Sequence, residues 1–69
     1  MNGPGSAALA AQLPEIGMAL ATALDELARD PEPARAELVA IRLDGARRHC
    51  LLLGEARRRE ATEERGYDR

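Results

Sequence analysis

The sequence predicts an all-α protein, an antiparallel two-helix hairpin. Ala, Leu, Glu and Arg supply 42 of the 69 residues, a composition typical of long helices. Leucines recur at helical spacing on both sides of one proline-rich turn near the middle of the chain. Phe and Trp are absent and only three aliphatic residues are β-branched, which argues against a sheet.

The first helix is predicted over residues 7–29, with Ser6 as its N-cap. Its bulky residues, with Ala23 in the remaining heptad position, are Leu9, Leu13, Ile16, Leu20, Leu24 and Leu27. At 100° per residue they lie within about 80° of one another, a narrow seam of the coiled-coil kind. Pro14 either starts this helix or kinks it. Because the apolar spacing continues through Pro14, we expect one kinked helix.

The turn is predicted at Asp30-Pro31-Glu32-Pro33. Asp30 suits an N-cap and Pro31 the first helical position, so the second helix is predicted over residues 31–60. A connection this short makes the two helices antiparallel neighbours. The predicted organisation is a flexible lead (1–5), a single helical unit (6–62) and a flexible tail (63–69).

The apolar residues of the second helix fall on two faces, and the narrow seam of the first helix can cover only one of them. The set predicted to face the first helix is Val39, Leu43, Ala46, Cys50 and Leu53. In this register, Ile16 lies opposite Leu43 and Leu13 opposite Ala46. The other set leaves Leu38, Ile41 and Leu52 exposed, and such apolar patches usually mark interfaces. The predicted partner interface is Leu38, Ile41, His49, Leu52 and Ala56.

A lone two-helix hairpin is a poor architecture for burying enough apolar surface to fold stably. We therefore expect the chain to complete a four-helix bundle. It would do so either as a homodimer or by packing on a helical protein partner. The expected function is a non-enzymatic protein–protein interaction module, such as a small co-chaperone or adaptor.

Other classes of function are disfavoured by the composition. Cys50 is the only cysteine and His49 the only histidine, so no zinc site, metal centre or cofactor site is expected. No catalytic arrangement or small-molecule pocket can be assembled, so no enzyme is expected. The longest bulky apolar run, residues 51–53, is too short to span a bilayer. With no secretory signal pattern before Arg29, we expect a cytoplasmic protein without membrane contact.

Arginine clusters raise one alternative, a symmetric four-helix dimer that binds RNA through arginine ridges. The candidate residues are Arg47, Arg48, Arg57, Arg58 and Arg59. The net charge of −2, the absence of stacking aromatics and the acidic residues four positions earlier make a solvated face the favoured interpretation. The acidic partners are expected to be Asp44 for Arg48 and Glu55 for Arg59.

The layout resembles one known family, through its length, its two helices with a short turn, and the string Glu26-Leu27-Ala28-Arg29 followed by Pro31-Glu32. The chain is similar there to the small helical-hairpin co-chaperones of type III secretion needle subunits. The resemblance covers residues 16–56. It implies a cytoplasmic hairpin that pairs with a larger helical-repeat chaperone to hold a needle protein.

Overall fold

The structure, a computed structural model, describes the backbone of residues 5–66 and the side chains of residues 5–63. Its helices are α1 (Ser6–Ala11), α2 (Leu13–Arg29) and α3 (Pro33–Gly66). These described residues contain helices and no strand, which confirms the predicted all-α class. The protein is elongated, with extents of 57 × 18 × 17 Å. Residues 1–4 of the predicted lead and 67–69 of the predicted tail lie outside the described residues.

The first two segments form one helix that bends at Gln12 and is called the first helix below. Pro14 has no N–H to offer the carbonyl of Ala10, and its ring crowds that turn. The Gln12 N–H instead donates to the Leu9 carbonyl at 3.3 Å, and helical bonding resumes where the Ile16 N–H meets the Gln12 carbonyl at 3.1 Å. The prediction of one helix kinked near Pro14 is therefore confirmed.

The N-terminus of α3 differs from the prediction. The Ala36 N–H donates to the Glu32 carbonyl at 2.9 Å, so the helix begins at Pro33. The assignment of Asp30 as N-cap and Pro31 as first helical residue was wrong. The reason is steric, because a residue that precedes proline is held out of the α region, and Pro33 imposes this on Glu32.

The C-terminus of α3 also lies further along the chain than the predicted end near residue 60. The helix continues to Gly66, so the predicted flexible tail is helical over residues 63–66. This end is rich in residues with high helix propensity. Local bonds support it, including the Arg57–Glu60 ion pair at 3.4 Å and the Thr62 hydroxyl donating to the Arg58 carbonyl at 3.0 Å.

The first helix packs through a regular heptad seam. Its buried or half-buried residues are spaced alternately by three and four, namely Ser6, Leu9, Leu13, Ile16, Leu20, Ala23 and Leu27. This confirms most of the predicted seam. Leu24 is the exception, because its side chain is 46% exposed whereas Ala23 is 6% exposed.

The seam of α3 is rotated from its predicted position. Its buried or half-buried residues are Arg35, Val39, Ala46, His49, Leu53, Ala56 and Glu60. Leu43 and Cys50, predicted to lie in the seam, are exposed. The rotation is about 50° around the helix axis. It lets His49 and Glu60 form hydrogen bonds to the first helix, and a count of apolar residues takes no account of such bonds.

Contacts between the first helix and α3 extend over most of their length. Beside the turn, Arg35 lies 3.9 Å from Glu26. At the other end, Glu60 accepts two hydrogen bonds from Ser6, at 2.6 and 2.9 Å. The contacts cover one face of α3 and leave a second face open.

Candidate functional site

Large aliphatic side chains lie exposed on the second face of α3. Leu38, Ile41 and Leu52 expose 56%, 67% and 54% of their surface, as the sequence predicts. Leu38, Gly45 and Leu52 are seven residues apart, so they follow one line along the helix, with Ile41 beside it. We call these four residues the α3 stripe.

An open groove of about 290 Å³ runs between the helices next to the α3 stripe. It is lined by Ile16, Ala19, Leu20, Arg42, Gly45, Ala46 and His49. Because Gly45 belongs to both, the stripe and the groove form one continuous surface, called the docking surface below. Ile16 shares the groove with Ala46 and His49, whereas Leu43, predicted to lie opposite Ile16, is exposed and does not line it.

His49 was predicted to contact a partner, and the structure gives it a contact within the chain. Its Nε2 lies 2.7 Å from the carbonyl oxygen of Leu9, in the turn before the bend of the first helix. A carbonyl oxygen only accepts, so Nε2 carries the proton and donates. His49 is half-buried and borders the groove. Its main contact therefore holds the bent helix against α3.

Ala56 was also predicted at the partner interface. The structure buries it to 1% exposure in the seam against the first helix. It does not form part of the exposed surface, and the prediction for this residue was wrong. The rotation of α3 explains the error, because it turns Ala56 from the stripe side into the seam.

Glu60 forms a contact that sequence reasoning missed. One carboxylate oxygen accepts from the backbone N–H of Ser6 at 2.9 Å, and the other accepts from the Ser6 hydroxyl at 2.6 Å. These bonds to the Ser6 side chain and backbone, with Arg57 nearby, hold the pKa of the Glu60 carboxyl below its ordinary value of 4.5. Ser6 is 7% exposed and was predicted to cap its own helix; instead it is bonded to α3. Glu60 lies three heptads after Val39, so extending the heptad spacing from Val39 would have placed Glu60 on the face that packs against the first helix.

The arginine ridges are partly neutralised by neighbouring carboxylates. Arg48 pairs with Asp44 at 3.2 Å, as predicted. The predicted pair of Glu55 with Arg59 is not formed among the described residues, and Arg57 pairs instead with Glu60. Arg58 and Arg59 line a shallow open depression together with Glu55, Thr62 and Glu63. Arg47 is exposed. Within residues 5–63, whose side chains the structure describes, these arginines alternate with carboxylates and do not form one continuous basic surface for phosphates.

No group of three or more potential metal ligands occurs among the described residues. Cys50 was predicted as a small buried hydrophobic residue of the seam, but its side chain is exposed.

The first helix, Ser6–Arg29, is long and apolar enough to cross a membrane, since it has 24 residues and contains an 18-residue window with a mean hydropathy of 1.4. Core helices of soluble proteins and signal sequences meet the same criteria, so this observation alone does not assign a location.

Comparison with protein-family models, curated proteins and solved structures finds no match to this chain. Its function therefore has to be argued from its own surfaces.

Proposed function

We propose that the chain is a non-enzymatic protein–protein interaction module, an antiparallel helical hairpin that binds another helix at its docking surface. The bound helix would complete a helical bundle around α3. The observation that supports this most directly is Ile41, a large aliphatic side chain at 67% exposure on an ordered helix. It lies in a row with Leu38 and Leu52 next to an open groove, and extended apolar surfaces of this kind mark interaction sites.

The shape of the docking surface fits a helix better than a small ligand. The groove is open and shallow, and ligand sites are usually concave and enclose most of their ligand. Small residues in its walls, Ala19 and Gly45, let a neighbouring backbone approach closely. An amphipathic helix presents apolar residues at spacings of three, four and seven, and these match the spacings of the α3 stripe.

A small cytoplasmic co-chaperone or adaptor is the class of protein that this proposal favours, in line with the resemblance to the needle-subunit co-chaperones. Such proteins cover the apolar face of a helical client. RNA binding is the less favoured alternative, because the Asp44–Arg48 and Glu60–Arg57 pairs neutralise part of the basic surface.

A pair of variants tests the proposal. Ile41→Glu places a charge in the docking surface, whereas Met18→Glu places one at an exposed site on α2, where the side chain is 72% exposed. We expect Ile41→Glu to abolish association with any partner or second copy and Met18→Glu to leave it unchanged. Circular dichroism should show retained helix in both. Sedimentation velocity and affinity capture from native-cell lysate are the measurements, and equal association of both variants would contradict the proposal.

A second comparison separates the docking surface from the seam. Leu27 is half-buried in the seam and does not line the groove, so Leu27→Glu should remove both helix and association. Loss of association with retained helix in Ile41→Glu, but loss of both in Leu27→Glu, would show that the two faces act separately.

A further inference from the structure

We propose that the occupant of the docking surface is a second copy of this chain, with its α3 antiparallel to the first and a two-fold axis at Gly45. This inference rests on the proposed function and adds the identity, direction and register of the partner. Three observations support it: the amount of exposed surface, the symmetric placement of Leu38 and Leu52 about Gly45 and the order of charges along α3.

The exposed surface is larger than a compact chain of this size requires. The chain exposes 5666 Å², whereas a compact monomer of 7.5 kDa exposes about 4,200 Å². The excess of roughly 1,400 Å² is more than the approximately 800 Å² that each partner contributes to a standard interface. The chain therefore has enough exposed surface to bury a standard interface with a second copy.

Three of the four residues of the α3 stripe are placed symmetrically about Gly45, whereas the position that corresponds to Ile41 on the other side of Gly45 is His49. Leu38 lies seven residues before Gly45 and Leu52 seven residues after it. A two-fold axis at Gly45 therefore pairs Leu38 of each copy with Leu52 of the other. Gly45 itself would meet Gly45 of the second copy, where the absence of side chains permits close approach of the helices.

The fold of a single copy gives no reason for glycine at this position. Gly45 lies inside α3 without a positive φ, and glycine weakens a helix interior. Apart from its chain neighbours and the adjacent backbone of α3, no described residue places an atom within 4 Å of the site that a Cβ would occupy. Gly17 and Gly54 have equally open surroundings, so what distinguishes Gly45 is its place midway between Leu38 and Leu52, where a second helix could approach closely.

Charges on the stripe side favour the antiparallel direction. Asp44 precedes Gly45 and Arg48 follows it, so each copy's Asp44 would lie near Arg48 of the other. In a parallel pair, Asp44 of one copy and Arg48 of the other would lie on opposite sides of the interface. The antiparallel arrangement also brings Glu37 near Glu55 of the second copy, a like-charged encounter that makes a specific test possible.

Glycine variants test the position of the axis. Gly45 and Gly54 are both exposed helical glycines with open space at the Cβ, and they lie about 180° apart around α3. Gly45→Gln should raise the dimer dissociation constant at least tenfold by sedimentation equilibrium, whereas Gly54→Gln should change it less than threefold. Glu37→Arg should lower it about twofold to fivefold, since it turns the repulsion into an attraction.

Cross-linking tests the register directly. In the Gly45→Cys, Cys50→Ser variant, a short thiol-specific linker should join two chains in high yield. The wild-type chain is the control, because Cys50 lies about 140° around the helix from Gly45 and should not be joined. Efficient linking at residue 45 together with the Gly45→Gln effect would support the proposal.

The remaining outcomes separate this inference from the proposed function. If the dissociation constant of the dimer did not change in Gly45→Gln and residue 45 did not cross-link, the two-fold axis at Gly45 would be wrong. If the chain were a folded monomer at 100 µM and captured another protein that Ile41→Glu no longer captured, the homodimer would be wrong and the proposed docking function would stand. A folded monomer without any Ile41-dependent capture would overturn both.

Discussion

The Nε2 atom of His49 lies 2.7 Å from the carbonyl oxygen of Leu9, so a side chain of α3 is bonded to the first helix where that helix bends. The same carbonyl accepts the Gln12 N–H at 3.3 Å, a longer bond. Pro14 disrupts the regular hydrogen-bond ladder here, and His49 supplies an additional donor. The bend and the packing of the two helices are thus stabilised together.

Replacing His49 by Ala should reduce the stability of the fold and leave association intact. The lost hydrogen bond leaves the Leu9 carbonyl with only its longer bond from the Gln12 N–H, a cost of about 0.5–1.5 kcal/mol. Arg47→Ala, at an exposed neighbouring position, is the control and should change stability by less than about 0.5 kcal/mol. Thermal and urea unfolding measure the difference. A weaker dissociation constant with unchanged stability would place His49 in the interface after all.

The packing of the first helix could be predicted from its sequence, whereas that of α3 could be predicted only in part. The first helix has leucines or Ile16 at most seam positions, so its apolar spacing indicates the face directly. The seam of α3 was predicted only in part, at Val39, Ala46 and Leu53. It also contains Arg35, His49 and Glu60, whose polar side chains are left out of a count of apolar residues. Their contacts depend on a register that only the folded pair defines. The exposed α3 stripe was predictable because its residues do not contact the first helix, so their exposure does not depend on how the two helices are aligned.

Glu60 should make the stability of the fold depend on pH in the acidic range. Its pKa is lowered in the folded state, so its carboxylate stabilises the fold above about pH 4.5, and this contribution is lost as the pH falls below that value. Glu60→Gln should therefore be less thermostable than wild type at pH 7, with the gap narrowing towards pH 3. Melting curves by circular dichroism test this. Glu63→Gln, which removes an equal charge from an exposed site nearby, should show no such narrowing.

Ala56 should resist enlargement if it packs within the chain. Its side chain is 1% exposed, so Ala56→Leu would force extra atoms into the seam and cost about 1–3 kcal/mol. The control, Ala40→Leu, adds the same group at an exposed position of α3 and should be nearly neutral. Urea unfolding compares the two. If Ala56→Leu instead tightened association without loss of stability, the side chain would belong to the partner surface.

The first helix should not insert into membranes despite its hydropathy. Glu15 lies near its middle, and the Ser6–Glu60 and Leu9–His49 bonds attach its N-terminal turns to α3. Inserting this helix would break those bonds and place a carboxylate in hydrocarbon. Flotation of the purified chain with neutral and anionic lipid vesicles is the measurement, and we expect it to remain in the aqueous fraction. Glu15→Leu, which raises hydropathy further, shows whether the assay detects insertion.

The arginine ridges should contribute little to association and should not bind RNA. Arg48 and Arg57 already have carboxylate partners, at 3.2 and 3.4 Å. Both arginine side chains are more than 70% exposed, so water screens these pairs and each contributes little to stability.

The matching experiment replaces Arg47, Arg48, Arg57 and Arg58 together by Gln. Association through the docking surface should change by no more than about 1 kcal/mol, because exposed ion pairs are individually weak. A phosphate-binding surface would behave differently, since each phosphate contact releases counterions and affinity then falls steeply as salt rises. A gel-shift titration with cellular RNA at physiological salt distinguishes the two. The same seam holds the fold of the wild type and of the Gln variant, so a loss of binding in the variant would come from the arginines and not from unfolding. Saturable submicromolar binding by the wild type that vanished in the Gln variant would therefore favour the RNA-binding dimer over the protein interaction module.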